Sequence, residues 1–488
     1  MIGAHLDALR AVRIAGPGRE FLFDDEPVDV LIREGRIVDI APTGAVALHG
    51  EVLDAEGSWV VPGLWDHHVH AVQWALASDR TWLGDTTSAR EAASVMAAVP
   101  PRRDGRRIGT GFRDALWPDA PGLPVLDSVT SDVPTYLINA DVHSVWLNSA
   151  ALAREGFGAP DGVLREEDAF EISRRLNAVD QEHADAAVRT AGEQAAARGI
   201  TGIVDFDMAW NADAWKRRIS GGFDVHRVEF AVYPSHLERA IAAGMRTGDA
   251  VDEGGLVKVG RLKVISDGSL GTRTAACSHP YPGDGYGVMT VDLPELTDLL
   301  TRAAGSGLEA SVHAIGDRAA AAALDAFARS GAAGTIEHAQ LVRHADIARI
   351  ARLGLAASVQ PQHALDDRDM AARLWVDQTG IAYPLASLLR AGVEVRLGSD
   401  APVTALDPWR AIAAAVTRTD DDREPWQPHE RLSIDEAIAA SVRSAVRPGD
   451  PADLVVCGRD PRTAEGSELR RMPVDATILR GIVTHAAS

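Results

Sequence analysis

Cysteine is nearly absent from this chain of 488 residues: Cys277 and Cys457 are the only two, too few for a disulfide framework. A reducing compartment is therefore expected, most simply the cytoplasm. Positive charge is also in deficit, with 49 Lys and Arg against 70 Asp and Glu and a net charge of -21. So acidic a chain repels polyanions, which argues against nucleic acid or an anionic membrane as partner. No run of about 18 apolar residues is present to span a bilayer as a helix. The opening "MIGAHLDALRAVRIAGPG" lacks the basic stretch and long apolar run of a secretory leader, so none is expected. No repeat of fixed period occurs, so a solenoid or propeller is not expected.

What is present is a chain with 46% hydrophobic residues, ample for a full core. Its length exceeds one ordinary domain. From residue 60 onward, short β-branched runs alternate with alanine-rich helical stretches. The first run ends in "GLWDHHVH"; the others are "GITGIVDFD", "VHRVEFAVYP", "VGRLKVISDG", "LEASVHAIGD", "AGTIEHAQ", "LAASVQPQ" and "VEVRLGSD". Strands separated by helices pair in parallel, and eight such units predict a closed (β/α)8, TIM-like barrel. Residues 75–180 fit no single βα unit and read as an insertion after the first barrel strand. Residues 1–62 and 430–488 both carry short strands with turns and are expected to form one small β-sandwich domain, leaving 63–429 to the barrel. Two unrelated terminal hairpins are the plainer alternative.

Barrel enzymes place their chemistry at the C-terminal ends of the strands. There the sequence sets His68 and His70, Lys263, His313, His338 and Asp400, from five different strands. Residues two apart on a strand face the same side, so His68 and His70 can address one metal while His67 turns away. Asp66 shares their parity and lies deeper, where it could support a ligand. Each member has a plain reading by itself: His313 or His338 as a satisfied core histidine, Asp400 as a turn residue or cap, Lys263 as a salt-bridged lysine. Four histidines and an aspartate on successive strand ends point instead to a metal site.

The ordered segments "DHHVH", "LKVISDGSLGTRTAA", "VHAIGDRA", "IEHAQ" and "GSDAPV" resemble the amidohydrolase superfamily, in particular its YtcJ-like branch. The resemblance extends to "DVHSVWLNSAAL" in the insertion and "PGDPADLVV" in the tail, while "AVQWALASDRTW" departs from the pattern near the expected pocket wall. It implies two divalent metal ions, zinc above all. His68, His70 and Asp400 would hold one ion and His313 and His338 the other. A CO2-carboxylated Lys263 would bridge both. The implied reaction is hydrolysis of an amide or cyclic amide by a metal-activated hydroxide, with Asp400 as catalytic proton carrier. A single-metal deaminase of the same fold needs a glutamate three residues after the strand-five histidine. Here that position is Gly316. A non-catalytic scaffold would have lost ligands, and all six positions are filled.

The substrate is expected to be a small molecule. Three residues are candidates for holding it: His143 in the insertion, Arg273 in the glycine-rich loop after strand four, and Gln360 at the end of strand seven. Trp74, Trp82, Trp117 and Trp146 suggest an apolar wall, with burial in the insertion's own core as the simpler reading. Twofold assemblies are common enough to make a homodimer the expected oligomer.

Overall fold

The computed structural model describes residues 1–19, 26–283 and 285–487. Eight strands form one parallel sheet: β1 (Leu64–Val69), β2 (Ile200–Asp205), β3 (Arg227–Val232), β4 (Val257–Ile265), β5 (Ala310–Ala314), β6 (Gly334–His338), β7 (Ala356–Val359) and β8 (Val395–Leu397). These are the eight runs read from the sequence. Helices cover the outer face, so the strands are buried on both sides and read as nearly continuous apolar runs. The helix Asp317–Ser330 shows how: Ala319, Ala320, Ala323, Leu324 and Phe327 face the sheet, and Gly331 ends the helix in a left-handed turn at φ 67°.

The sheet curls until β8 meets β1. Asp400 N donates to His68 O (2.7 Å) and His70 N donates to Ala401 O (2.9 Å). Asp66 stitches the same seam, its Oδ1 accepting from His68 N (3.1 Å) and from Ser399 N (2.9 Å). Asp66 thus serves the backbone of both strands rather than an imidazole. His67 points away as its parity requires, Nδ1 at 2.9 Å from Leu397 O and Nε2 receiving Arg443 Nε at 3.2 Å.

Strands from both chain ends join a second sheet of eight strands. Ala8–Ile14 crosses between its halves: Ala8 and Leu9 pair with one side, Arg13 and Ile14 with the other, and Ala11 at φ 53° makes the corner. Leu9, Val30, Val60, Leu454 and Ile478 fill the space between the halves. The insertion after β1 carries a five-stranded sheet of its own, which sequence reading did not resolve. Trp146 is fully buried inside it among Phe112, Leu126 and Leu137. Among the described residues, no helix is long and apolar enough to cross a membrane.

Seam closure needs a residue without a side chain at Gly398, where an added Cβ would sit 2.7 Å from His68 N. Gly398→Ala should therefore destabilise the protein by about 1–3 kcal/mol through overpacking. Gly305→Ala, in a helix where the new methyl meets nothing within 4 Å, should leave stability unchanged or raise it by up to about 1 kcal/mol. Thermal unfolding of the two variants beside the parent protein checks the contrast.

Candidate active site

The seam delivers three donors to one point. His68 Nε2 and His70 Nε2 lie 3.6 and 3.3 Å from Asp400 Oδ1. One ligand atom from each of the three falls within 4.8 Å of the others, and all three side chains are buried. Asp400 Oδ1 is itself buried without a well-aligned hydrogen-bond donor. Burial would raise the pKa of Asp400, but the imidazoles of His68, His70 and His338 hold it well below the usual carboxylate range. Asp400 adopts a left-handed backbone at φ 59°, and His338 does so at φ 72°. Non-glycine residues held there cost free energy that the surrounding structure must supply.

Lys263, 2% exposed, brings Nζ to 3.4 Å from His68 Nε2 and 4.4 Å from the centre of the Phe206 ring. Burial lowers its pKa to about 8, against the opposing charges of Glu337 and Asp400. His338 stacks between its neighbours, with ring centres 4.7 Å from His68 and 4.4 Å from His313. Burial holds all three imidazoles below their ordinary pKa, His68 at about 4. They are neutral, the form that binds metals. His313 is the outlying member: its Nε2 lies 3.4 Å from both Gly268 O and Asp267 Oδ1.

Two supports were not foreseen in the sequence. Glu337 accepts from His68 Nδ1 at 2.7 Å and from Thr335 Oγ1. Burial would raise its pKa, but His68 and Lys263 bring it down to about 2. Gln360, expected to meet substrate, stands behind the site instead, its Oε1 accepting from His338 Nδ1 at 2.9 Å. In His68 an occupied Nδ1 leaves Nε2 toward Asp400, the arrangement that orients metal-binding imidazoles; His338 Nδ1, held by Gln360, also lies 3.8 Å from Asp400 Oδ2. Strand parity hides Glu337, since it sets that residue on the face opposite His338; the left-handed backbone at His338 brings both to the site.

The insertion roofs the mouth. The cavity beneath it has about 1090 Å³ of space, including its opening to solvent, and is lined largely by apolar groups such as Leu116, Phe170, Met208, Ile315 and Val403. His143 lines it, as expected, with Nδ1 held at 2.9 Å by Glu166 Oε2. Burial would lower the pKa of His143, yet Glu166 outweighs this and raises it. The other Glu166 oxygen accepts from Thr274 Oγ1 (2.6 Å), and Asp141 accepts from Ser269 Oγ (2.7 Å), which docks the insertion on the loop after β4. Gly271 permits the docking, since a Cβ there would lie 2.7 Å from Asp141 Oδ2. Arg273 is a correction: it is exposed and outside the cavity lining, because the turn at φ 59° sends it outward while Ser269, Leu270 and Gly271 face in. The four tryptophans also lie outside the lining. Trp146 is in the insertion core, Trp117 and Trp74 pack at the edges of cores, and Trp82 is 57% exposed.

This arrangement agrees with a match to the amidohydrolase family over residues 51–485. The chain belongs to that family. Membership makes it a hydrolase acting on C–N bonds. The amidohydrolase is 27% identical to the "putative amidohydrolase YtcJ" of Bacillus subtilis, over 90% of this chain and 91% of that protein. It is also 27% identical to the N-substituted formamide deformylase of Arthrobacter pascens, over 93% and 94% of the two chains. Among solved structures, an uncharacterized metal-dependent hydrolase from Pyrococcus horikoshii shares the fold, with a TM-score of 0.78, 24% identity, and coverage of 94% of this chain and 99% of that one.

If Glu337 orients His68, Glu337→Gln should weaken divalent-metal binding by about 10–100-fold without unfolding the protein. Competition against a chromophoric chelator measures it. Metal affinity equal to that of the parent protein would show that the carboxylate plays no such part.

Proposed function

We propose that the protein is a binuclear metal-dependent amidohydrolase that cleaves an N-acyl amine or cyclic amide bearing an apolar substituent. The observation that carries this reading is the meeting of His68, His70 and Asp400 at the barrel seam, with a buried Lys263 beside them. Neutral imidazoles, a carboxylate and a buried carboxylate oxygen lacking an aligned donor form a donor set suited to Zn²⁺. His68, His70 and Asp400 would hold one ion, and His313 and His338 the other.

Lys263 fits the bridging role through its environment. With its pKa lowered to about 8, a useful fraction of the amine is unprotonated near neutral pH. That amine can attack CO2, forming an N–C bond and releasing one proton, which turns a cation into a carboxylate. Bound divalent ions supply Lewis acidity, bringing water toward ionisation near pH 7 and polarising a carbonyl.

The remaining steps belong to the chain. Asp400, kept ionised by its imidazole neighbours, takes the proton from water as the water oxygen attacks the carbonyl carbon. It then delivers that proton to the departing nitrogen. His143, with Nδ1 fixed by Glu166, offers its other ring nitrogen as donor to the substrate oxygen. The apolar part of the cavity, with Phe170, Met208 and Val403, receives the N-substituent. The identity to a formamide deformylase supports a small acyl group.

Removal of metal by a strong chelator should abolish release of amine from N-formyl and N-acetyl amines, and Zn²⁺ with bicarbonate should restore it. Asp400→Asn should lower kcat by about 10²–10⁴-fold in samples matched for metal content, with the smaller change in KM. Amine release is read with a colorimetric amine reagent. Hydrolysis that survives complete demetallation would overturn the proposal, and ammonia release from an amino-substituted ring would favour the deaminase.

A further inference from the structure

His363 stands in the short helix Pro361–Asp366 that follows β7, outside the set of residues that the sequence pattern assigns to metal. It is 6% exposed and lines the cavity. One ligand atom each from His338, His363 and Asp400 lies within 4.8 Å of the others. His363 Nε2 is buried and has no hydrogen-bond partner among the described residues. Buried polar atoms are almost always paired, so an imidazole nitrogen turned into a cavity without a partner points to one supplied from outside the chain.

The bracing of this ring repeats that of His338. β6 and its end supply His338 and Gln340; β7 and its end supply Gln360 and His363. Each histidine is held at Nδ1 by the other strand's glutamine: His338 by Gln360 at 2.9 Å, and His363 by Gln340 at 3.3 Å. Gln340 Oε1 is also buried without a partner. A half-turn of that amide lets Oε1 accept from His363 Nδ1–H and leaves the Nε2 lone pair facing the cavity. Nδ1 held by an amide or carboxylate and Nε2 open is how metal-binding imidazoles are oriented, and His68 shares it.

We propose that His363 is a metal ligand, adding a fourth imidazole-bearing strand end to the centre and binding the ion that His338 binds. The proposal rests on the metal-dependent reading above but is independent of how many ions are bound. His363→Gln keeps most of the volume and should weaken binding of at least one Zn²⁺ equivalent about tenfold or more, measured by calorimetric titration of demetallated protein. His363→Cys supplies a direct signature. With Co²⁺ bound, a thiolate-to-cobalt charge-transfer band should appear that the parent protein lacks. Circular dichroism melting of the demetallated variants verifies that each is folded.

Unchanged Zn²⁺ affinity in folded His363→Gln together with no new band in Co²⁺-loaded His363→Cys would overturn the proposal, while two equivalents in the parent would leave the binuclear reading standing. A new band in a protein that binds only one equivalent would support His363 as ligand and overturn the binuclear reading instead.

Discussion

The site exists because the barrel closes where it does. Three donors meet on the junction of the first and last strands, so the hydrogen bonds that complete the barrel also set their spacing. Asp400 N reaches back to His68 O and His70 N to Ala401 O, so the backbone segments that carry the three donors are tied together. Asp66 binds the amides of His68 and Ser399 together. Burial raises its pKa to about 7, against the hydrogen bonds from Ser399 and His68. "DHHVH" is thus a strand whose alternate residues serve two ends: His68 and His70 toward the cavity, His67 into the packing behind it.

Electrostatics explains why such a crowded group of ionisable residues is tolerated. His68, His313 and His338 are kept neutral by burial, which spares the fold three buried cations. Glu337 stays ionised because it accepts from His68 Nδ1 and lies near the Lys263 amine, and the same amine offsets the charge of Asp400. Two negative groups against one amine that titrates at about 8 leave the pocket short of positive charge. A divalent cation meets that shortage, and it binds the same nitrogen lone pairs that Glu337 and Gln360 turn toward the cavity.

Much of this could be read in the sequence, for identifiable reasons. Parallel strands buried on both faces announce themselves as β-branched runs, so all eight were legible. Parity alone separated His68 and His70 from His67. Where the reading failed, a tertiary contact decided. Arg273 looked like a substrate clamp, but the turn that lets Asp141 dock against Gly271 sends it to the surface. Gln360 ends its strand facing β6, so it meets His338 before it could meet a ligand. Strand parity sets His338 opposite to Glu337; only the left-handed backbone at His338 brings both into the same site. The insertion's sheet was hidden because its strands are short, two to six residues, and mix parallel with antiparallel pairs.

The roof and the floor depend on one carboxylate. Glu166 uses one oxygen to grip Thr274 on the loop after β4 and the other to hold His143 Nδ1. The same group therefore seats the insertion over the cavity and polarises the histidine that the insertion brings there. The carboxylate that raises the pKa of His143 through one oxygen thus helps to dock the insertion through the other. The floor has no such flexibility, since its donors are fixed by strand register. Variation in substrate among proteins of this architecture has room in the roof, where side chains rather than backbone bonds set the geometry.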